Sequence, residues 1–428
     1  MTTKTQTRPG KSIVNRTPFF YGWVVWAVAT LGLIATSPGQ SFTVSLFIDH
    51  YIADFGIDRT TVSTLYGAGT FIAALSLTWV GRQIDRRGNR RMGVIVSLLF
   101  ALALVGMALV AGPLTLFLGF IAIRGLGQGS LSLTNSTVIA QWFRGRRGFV
   151  MSLSLLIWAL VRSAYLPVIQ NLIDTYEWRQ AWVIMAIAVA VTIPALTWFF
   201  IRDRPEDHGL QPDGKPLEES DEAAVLAALD DDGWTLGEAM RTSIFWVFIF
   251  GRLLSPAWGT GLTLHQISVF AELGHGPEVV AATFGAVSLV TAGASLGFGL
   301  LIDRLRPQLI MAFQLTTMII TLYFAMIMTE TWMLLVYSVA YGITMGSGGV
   351  FDGAVWANIF GRRHLGTIRG FIATTGVAGT ALGPVLYGIS YDKLGGYVPV
   401  LWMGIGYGII AIIAALLVRQ PTKRIRQV

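Results

Sequence analysis

Twelve apolar stretches dominate the sequence, and each is long enough to cross a lipid bilayer as a helix. A membrane-spanning helix needs about 20 consecutive apolar residues. Hydrophobic residues make up 54% of the 428 positions and charged residues 13%, against about 25% charged in an ordinary soluble protein. This composition excludes a cytosolic enzyme, a nucleic-acid-binding protein and a disordered chain, and it predicts an all-α polytopic membrane protein. The predicted spans are 19–48, 60–82, 91–111, 114–142, 148–173, 178–200, 243–272, 277–302, 308–328, 331–360, 365–390 and 396–418.

One long polar interruption predicts that the chain is divided into two units. Residues 1–200 would form an N-terminal six-helix bundle and residues 243–428 a C-terminal one, joined by a linker at 201–242. The linker holds 12 of the 24 acidic residues, which is typical of a solvated connector.

The positions of Lys and Arg predict the orientation in the membrane, because cytoplasmic loops are enriched in these residues. With the N-terminus inside, 25 of the 31 Lys and Arg residues lie in inside segments, whereas the outside loops carry only Arg59, Arg179 and Lys393. Both termini and the linker are therefore predicted to be cytoplasmic. We expect a monomer in the inner membrane of a bacterium.

Two motifs recur at nearly the same spacing in the two halves of the sequence. The pattern G-x-x-x-D-R begins at Gly81 and again at Gly299, 218 residues later. Ala140-Gln-Trp-Phe143 is followed 217 residues later by Ala357-Asn-Ile-Phe360. A shared offset predicts a duplicated six-helix unit, and therefore two pseudo-symmetric bundles with a substrate site between them near the middle of the membrane.

Over nearly its whole length the chain resembles the major facilitator superfamily. Residues 81–91 resemble that family's loop between helices 2 and 3, Arg124 and the glycines after it resemble its helix 4 signature, and residues 376–384 resemble its glycine-proline pattern. The resemblance implies a cytoplasmic latch that favours one conformation, formed by Gly81, Asp85, Arg86, Arg124, Asp303 and Arg304.

Short motifs at 21–23, 142–148, 204–210 and 242–246 are similar to the monocarboxylate and oxalate/formate porter branch of that superfamily. Carboxylate porters of this branch usually carry a substrate-binding arginine in helix 8. Here helix 8 has no basic residue before Arg304. The resemblance therefore implies a carboxylate porter without supplying the arginine that would bind the carboxylate.

Four charged residues fall near the centres of predicted spans: Arg124, Arg162, Arg252 and Asp352. Each costs about 2.5–3.5 kcal/mol on insertion scales. Asp352 can pair with one arginine, and an anionic substrate would compensate another. We predict that Arg162 and Arg252 bind substrate, whereas Arg124 packs on backbone carbonyls or a neighbouring helix. The alternative for Arg162 and Arg252 is a buried ion pair with Asp352 that locks the two halves together.

Several polar residues complete the predicted site. Asp352 aligns with Asn135 through the 217-residue offset, so one half carries a titratable group where the other carries an amide. Asp352 could couple transport to protons or form a structural salt bridge, and both interpretations stay open. His265 is a second candidate for proton coupling, because histidine titrates near neutral pH. The candidate hydrogen-bonding groups for substrate are Asn135, Tyr66, Tyr165 and Tyr387.

The sequence offers nothing for catalysis. It has no cysteine, no nucleophile–base pair, no metal-ligand cluster and no phosphate loop, so we expect neither enzyme activity nor a cofactor. The first functional hypothesis is a secondary transporter that moves a small organic anion, a monocarboxylate with a proton, by alternating access. The alternative is an exporter or exchanger of a bulkier anionic or amphipathic compound. The expected partners are the small organic anion, protons and the lipid bilayer, and no nucleic acid.

Overall fold

The protein is almost entirely helical in the part that the computed structural model describes, which is residue 14 and residues 17–214, 233–302 and 304–420. A π-helical segment, Arg124–Leu131, joins the helices Pro113–Ile123 and Ser132–Trp142, and another, Ser255–Gly259, joins the helices Ser243–Leu254 and Thr260–Glu272. The helices are α1 (Gly22–Ile34), α2 (Ser41–Val44), α3 (Ile48–Phe55), α4 (Arg59–Leu75), α5 (Leu77–Arg87), α6 (Asn89–Ala108), α7 (Pro113–Ile123), α8 (Ser132–Trp142), α9 (Arg147–Phe200), α10 (Leu236–Ala239), α11 (Ser243–Leu254), α12 (Thr260–Glu272), α13 (Pro277–Leu301), α14 (Pro307–Ile327), α15 (Thr331–Phe360), α16 (Leu365–Leu394) and α17 (Val398–Leu417).

Ten stretches of the described chain are long and apolar enough to cross a membrane. One of them is α9, whose 54 residues would reach about 81 Å as a straight helix, far more than the hydrocarbon core of about 30 Å. The chain breaks helical geometry inside α9 at Glu177, where φ is 69° and ψ is 157°. This break lies between the two predicted spans 148–173 and 178–200. The predicted span 243–272 corresponds to α11, the second π segment and α12, and it is not among the ten.

Local sequence signals explain where many of these helices begin and end. Pro113 and Pro307 occupy the first turns of α7 and α14, where the missing N–H is not needed. Asp58 caps α4 by accepting a hydrogen bond of 2.7 Å from the Thr61 amide. Gly395 ends α16 with a φ of 78°, the left-handed conformation that glycine adopts without a steric cost. The outer surface carries large apolar side chains, as expected where lipid replaces water.

The N-terminal half (residues 17–200) and the C-terminal half (residues 243–420) meet along two close helix pairs. α5 packs on α16, and the first part of α9 packs on α13. A Cβ atom added to Gly81 would lie 2.0 Å from the carbonyl oxygen of Gly366, and one added to Gly299 would lie 2.2 Å from Ser152 Oγ and 3.0 Å from the Gly148 oxygen. Gly81 and Gly299 are 218 residues apart, and so are Gly148 and Gly366. The repeated glycine motif therefore meets equivalent partners in the opposite half.

The contacts between the halves concentrate at one end of the helices. Residues 82–91, 143–147, 201–214 and 361–364 lie at this end, which we call the linker end. The hydrogen bonds between the halves that the structure describes involve residues 74–85 and 141–147 on one side and 358–374 on the other. The described conformation is therefore closed at the linker end.

Candidate functional site

One face of α9 runs from the closed contact into the space between the halves. Met151 lies against Gly353, and Leu155 lies against Gly349. Helical residues three and four apart share a face, so this face continues through positions farther from the linker end. The side chains that follow Leu155 on it are Trp158, Arg162 and Tyr165.

Arg252 and Asp352 form an ion pair between α11 and α15. Both helices belong to the C-terminal half, so this pair joins helices of one half and does not lock the two halves together. Arg252 donates from Nε to Asp352 Oδ1 and from Nη2 to Oδ2, both at 2.5 Å, which is the bidentate geometry that a guanidinium and a carboxylate favour. Gly376 makes room for the pair, because a Cβ atom there would lie 2.5 Å from Arg252 Nη1. The Asp352 side chain remains 33% exposed, and its neighbour Gly353 contacts the other half. The pair therefore borders the space between the halves.

A third charged residue, Arg369, belongs to this cluster and was missed by the sequence analysis. The sequence analysis counts it among the basic residues of the inside segments and not among the charges near span centres, but it lies inside α16, within the membrane-spanning stretch Leu365–Tyr391. It is close enough to be attracted by Asp352 and repelled by Arg252. Its Nη1 atom is buried and has no hydrogen-bond partner among the described residues. The C-terminal half thus contributes two arginines and one carboxylate.

Arg162 lies against aromatic rings rather than a carboxylate. Its guanidinium carbon is 5.4 Å from the ring centroid of Phe42 and 5.4 Å from that of Trp158. The two rings meet edge to face, with centroids 5.8 Å apart. In the part of the chain that the structure describes, Arg162 has neither an ion pair nor a hydrogen bond, and it is half-buried. We call Phe42, Trp158 and Arg162 the aromatic–arginine cluster.

Arg124, by contrast, is satisfied within its own half. Its Nε donates to Thr70 Oγ1 at 3.0 Å and its Nη1 to the Gly39 oxygen at 3.1 Å. Its guanidinium carbon is 5.0 Å from the Tyr66 ring centroid, and the Tyr66 hydroxyl donates to Ser41 Oγ at 2.8 Å. These contacts tie α4 and the π segment to the chain after α1.

The other predicted substrate and proton groups are dispersed. Asn135 is buried and donates to the Leu131 oxygen at 2.8 Å within its own helix. Tyr165 donates to the sulfur of Met185 at 3.2 Å and approaches the aromatic–arginine cluster through Phe42. His265 and Tyr387 stack with centroids 5.9 Å apart, and their stack belongs to the C-terminal half alone. The structure therefore brings Tyr165 near Arg162, and places His265 and Tyr387 in another cluster.

The latch residues lie at the linker end. Asp85 accepts hydrogen bonds from the Gly366 amide at 2.9 Å, the Thr367 amide at 2.8 Å and Thr367 Oγ1 at 2.5 Å. These amides begin α16, whose own first residues supply no side-chain cap, so a carboxylate of one half caps a helix of the other. Arg86 is exposed and lines a cavity of about 290 Å³ beside Asp85.

Two other contacts close the same end. Arg362 donates to the Gln141 oxygen at 2.6 Å and to Glu206 Oε1 at 2.5 Å, so it joins both halves to the linker. Burial raises the pKa of the Asp207 carboxyl, which lines the cavity, and the Arg204 charge opposes that shift. Arg304 is exposed at the end of α13. Asp303 lies outside the described residues, so its predicted role stays a prediction.

The chain was compared with known families, proteins and structures. The model of the Major Facilitator Superfamily matches residues 28–322 and 257–428. Monocarboxylate transporter 11 of Mus musculus is 26% identical over 388 residues, which cover 88% of this chain and 83% of that protein. Its Homo sapiens counterpart is 24% identical over 388 residues, covering 88% and 78%.

The proton:xylose symporter XylE, solved with 6-bromo-6-deoxy-D-glucose, superposes with a TM-score of 0.65 at 17% identity, covering 92% of this chain and 94% of that one. At this identity the likeness concerns the fold alone. The family model, however, covers most of the sequence and agrees with the all-helical architecture and the repeated glycine motif. The chain belongs to the major facilitator superfamily and is therefore a transporter and not an enzyme.

Proposed function

We propose that the protein is a secondary active transporter of a small organic anion, and specifically a proton-coupled monocarboxylate symporter that works by alternating access. The proposal includes twelve spans: the ten apolar stretches, a division of α9 at Glu177, and the continuous helical run from α11 to α12. It also includes bundles at 1–200 and 243–428, a linker at 201–242, cytoplasmic termini, and a bacterial inner membrane. The charge distribution in the loops supports this orientation.

The observation that carries the proposal is the excess of positive charge between the halves. Arg252 and Arg369 share one carboxylate, Asp352, whereas Arg162 has no acidic partner among the described residues. A buried charge without a counter-ion is costly in a membrane. An anionic substrate would supply the missing charge, and a guanidinium binds a carboxylate through two parallel hydrogen bonds. The similarity to monocarboxylate transporter 11 supports the same class of substrate.

The bidentate pair supports the proposal of proton coupling. While Asp352 is ionised, it occupies the donors that Arg252 would offer to a substrate carboxylate. A proton on Asp352 cancels its charge and releases the guanidinium, so the space between the halves gains one positive charge. The anion then compensates that charge. Proton and anion would therefore bind together and leave together.

Proteoliposomes with labelled lactate test the proposal. We expect uptake to accumulate lactate when an inward proton gradient is imposed, and protein-free liposomes give the background. Arg162→Gln and Arg252→Gln should each lower uptake at least tenfold. If both variants transport lactate and other short carboxylates at the wild-type rate, the anion site is wrong.

Asp352→Asn separates coupling from structure. An asparagine cannot be deprotonated, so gradient-driven accumulation should disappear, whereas exchange of labelled for unlabelled lactate should persist. A purely structural ion pair predicts instead a loss of about 3–5 kcal/mol of stability, because the buried Arg252 would keep its charge without a partner. The melting temperature and the exchange rate are therefore measured on the same sample. The double variant Arg252→Gln/Asp352→Asn, which removes both charges of the pair and leaves Arg369 as the remaining charge of the cluster, is the matched control.

A further inference from the structure

The separation of Arg162 from Asp352 limits which charged groups one substrate molecule can contact at the same time. Leu155 of α9 lies opposite Gly349 of α15. Arg162 is seven residues from Leu155, away from the linker end, whereas Asp352 is three residues from Gly349, towards the linker end. α9 and α15 run antiparallel here, since Met151 meets Gly353. Ten residues at 1.5 Å each therefore separate the two charged positions by ~15 Å along the helices. In this conformation a short acid such as acetate or lactate would contact only one of the two charged positions at a time.

The aromatic rings beside Arg162 bear on how a carboxylate would approach it. The rings of Phe42 and Trp158 lie within cation–π distance of the guanidinium. A guanidinium stacks on rings through its flat faces and donates hydrogen bonds from its edge. An approaching carboxylate therefore meets the edge, and the rest of the anion lies beside the rings.

Those rings are an unfavourable environment for a small polar anion. Beside Arg162 the described surroundings are mainly aromatic, with Tyr165 adding a third ring next to Phe42. Ligand sites bind an apolar body through aromatic side chains and fix its orientation through a few polar groups. An acid with an apolar body would bury that body here, whereas acetate would lose hydration without an equivalent contact.

We propose that the aromatic–arginine cluster is a binding subsite for monocarboxylates that carry an aromatic or bulky apolar group. Arg162 binds the carboxylate, and Phe42 and Trp158 contact the apolar body. This inference rests on the proposed transport of organic anions, and it narrows the substrate class within it.

The test compares two probes that differ only in the ring, 3-phenylpropionate and propionate. Binding is measured on the purified protein in detergent, because the neutral forms of such acids cross lipid bilayers unaided. We expect 3-phenylpropionate to bind at least tenfold more tightly than propionate. Trp158→Leu should reduce this ratio at least threefold, and Arg162→Gln should weaken the binding of both probes.

Controls distinguish this inference from the transport proposal. Trp402→Leu removes a tryptophan that is 54% exposed on the far face of α17, and it should leave the ratio unchanged. Phe42→Leu gives a second variant if Trp158→Leu melts below the working temperature. If lactate is transported but the two probes bind with equal affinity, the aromatic subsite is wrong and the transport proposal stands. If neither probe binds and no carboxylate is transported, the organic-anion function itself fails.

Discussion

Replacing Gly81 by alanine should open the linker end of the protein. The added Cβ atom would lie 2.0 Å from the Gly366 oxygen, 2.5 Å from the Gly366 carbonyl carbon and 2.9 Å from Thr367 Cα. All three atoms belong to the backbone at the start of α16, so no side-chain rotation relieves the clash. Overpacking of this kind costs about 1–3 kcal/mol. If that energy falls only on the closed conformation, its population relative to the open one drops about 5–150-fold.

Thiol labelling measures this shift directly. The chain has no native cysteine, so Met151→Cys introduces the single reactive thiol. Met151 is 4% exposed and lies against Gly353 in the closed contact, so a maleimide reaches it only when the halves separate at the linker end. In the Gly81→Ala background we expect labelling at least fivefold faster than in the Met151→Cys parent.

Gly67→Ala in the same Met151→Cys protein is the control. Gly67 lies in α4, close to Gly81 in sequence, and a Cβ atom there has no neighbour within 4 Å. It should label at the parental rate. Equal labelling of the Gly81→Ala and Gly67→Ala proteins, with equal melting temperatures, would refute the view that this glycine contact closes the linker end.

Three further substitutions test the same architecture. Asp85→Asn should slow lactate exchange while leaving lactate binding intact, because hydrogen bonds to a charged group contribute about 1.5–3 kcal/mol each; a loss of binding in a folded protein contradicts this. Glu206→Gln removes the ion pair with Arg362, whose partners are 9% and 12% exposed, and should lower the melting temperature; an unchanged value means that the linker does not stabilise the closed end. Arg369→Gln removes a cation with an unpaired donor, so it should not lower the melting temperature but should slow exchange; wild-type exchange would remove Arg369 from the transport site.

Much of the architecture could be predicted because duplication leaves a regular trace in the sequence. The spacing of the glycine motifs predicted two related halves, and the structure places Gly81 and Gly299 in equivalent contacts with Gly366 and Gly148. The pairing of Arg252 with Asp352 was one of two alternatives, because buried charges of opposite sign tend to meet. Sequence alone could not say which arginine would form the pair.

Other features depend on three-dimensional packing that no local pattern records. Arg369 closely follows Arg362 and Arg363 and was therefore counted with the basic residues that predict the orientation in the membrane. It nevertheless belongs to α16, which begins at Leu365. The neighbours of Arg162 come from Phe42, 120 residues earlier, and from its own helix. The separation of the His265–Tyr387 stack from the charged cluster likewise depends on how α12 and α16 cross.

The two halves carry different residues at one aligned position, an amide at Asn135 and a carboxylate at Asp352. This difference explains why only the C-terminal half would couple to protons. In the N-terminal half, Asn135 packs against Gly32, where a Cβ atom would lie 2.4 Å from the amide oxygen. In the C-terminal half, the aligned residue is Asp352, and its partner on the first helix of that half is Arg252. A second Arg–Asp pair would add a second titrating carboxylate to the same space. With a neutral amide on one side, the proposed coupling rests on the carboxylate of Asp352 and has no counterpart at the aligned position of the N-terminal half.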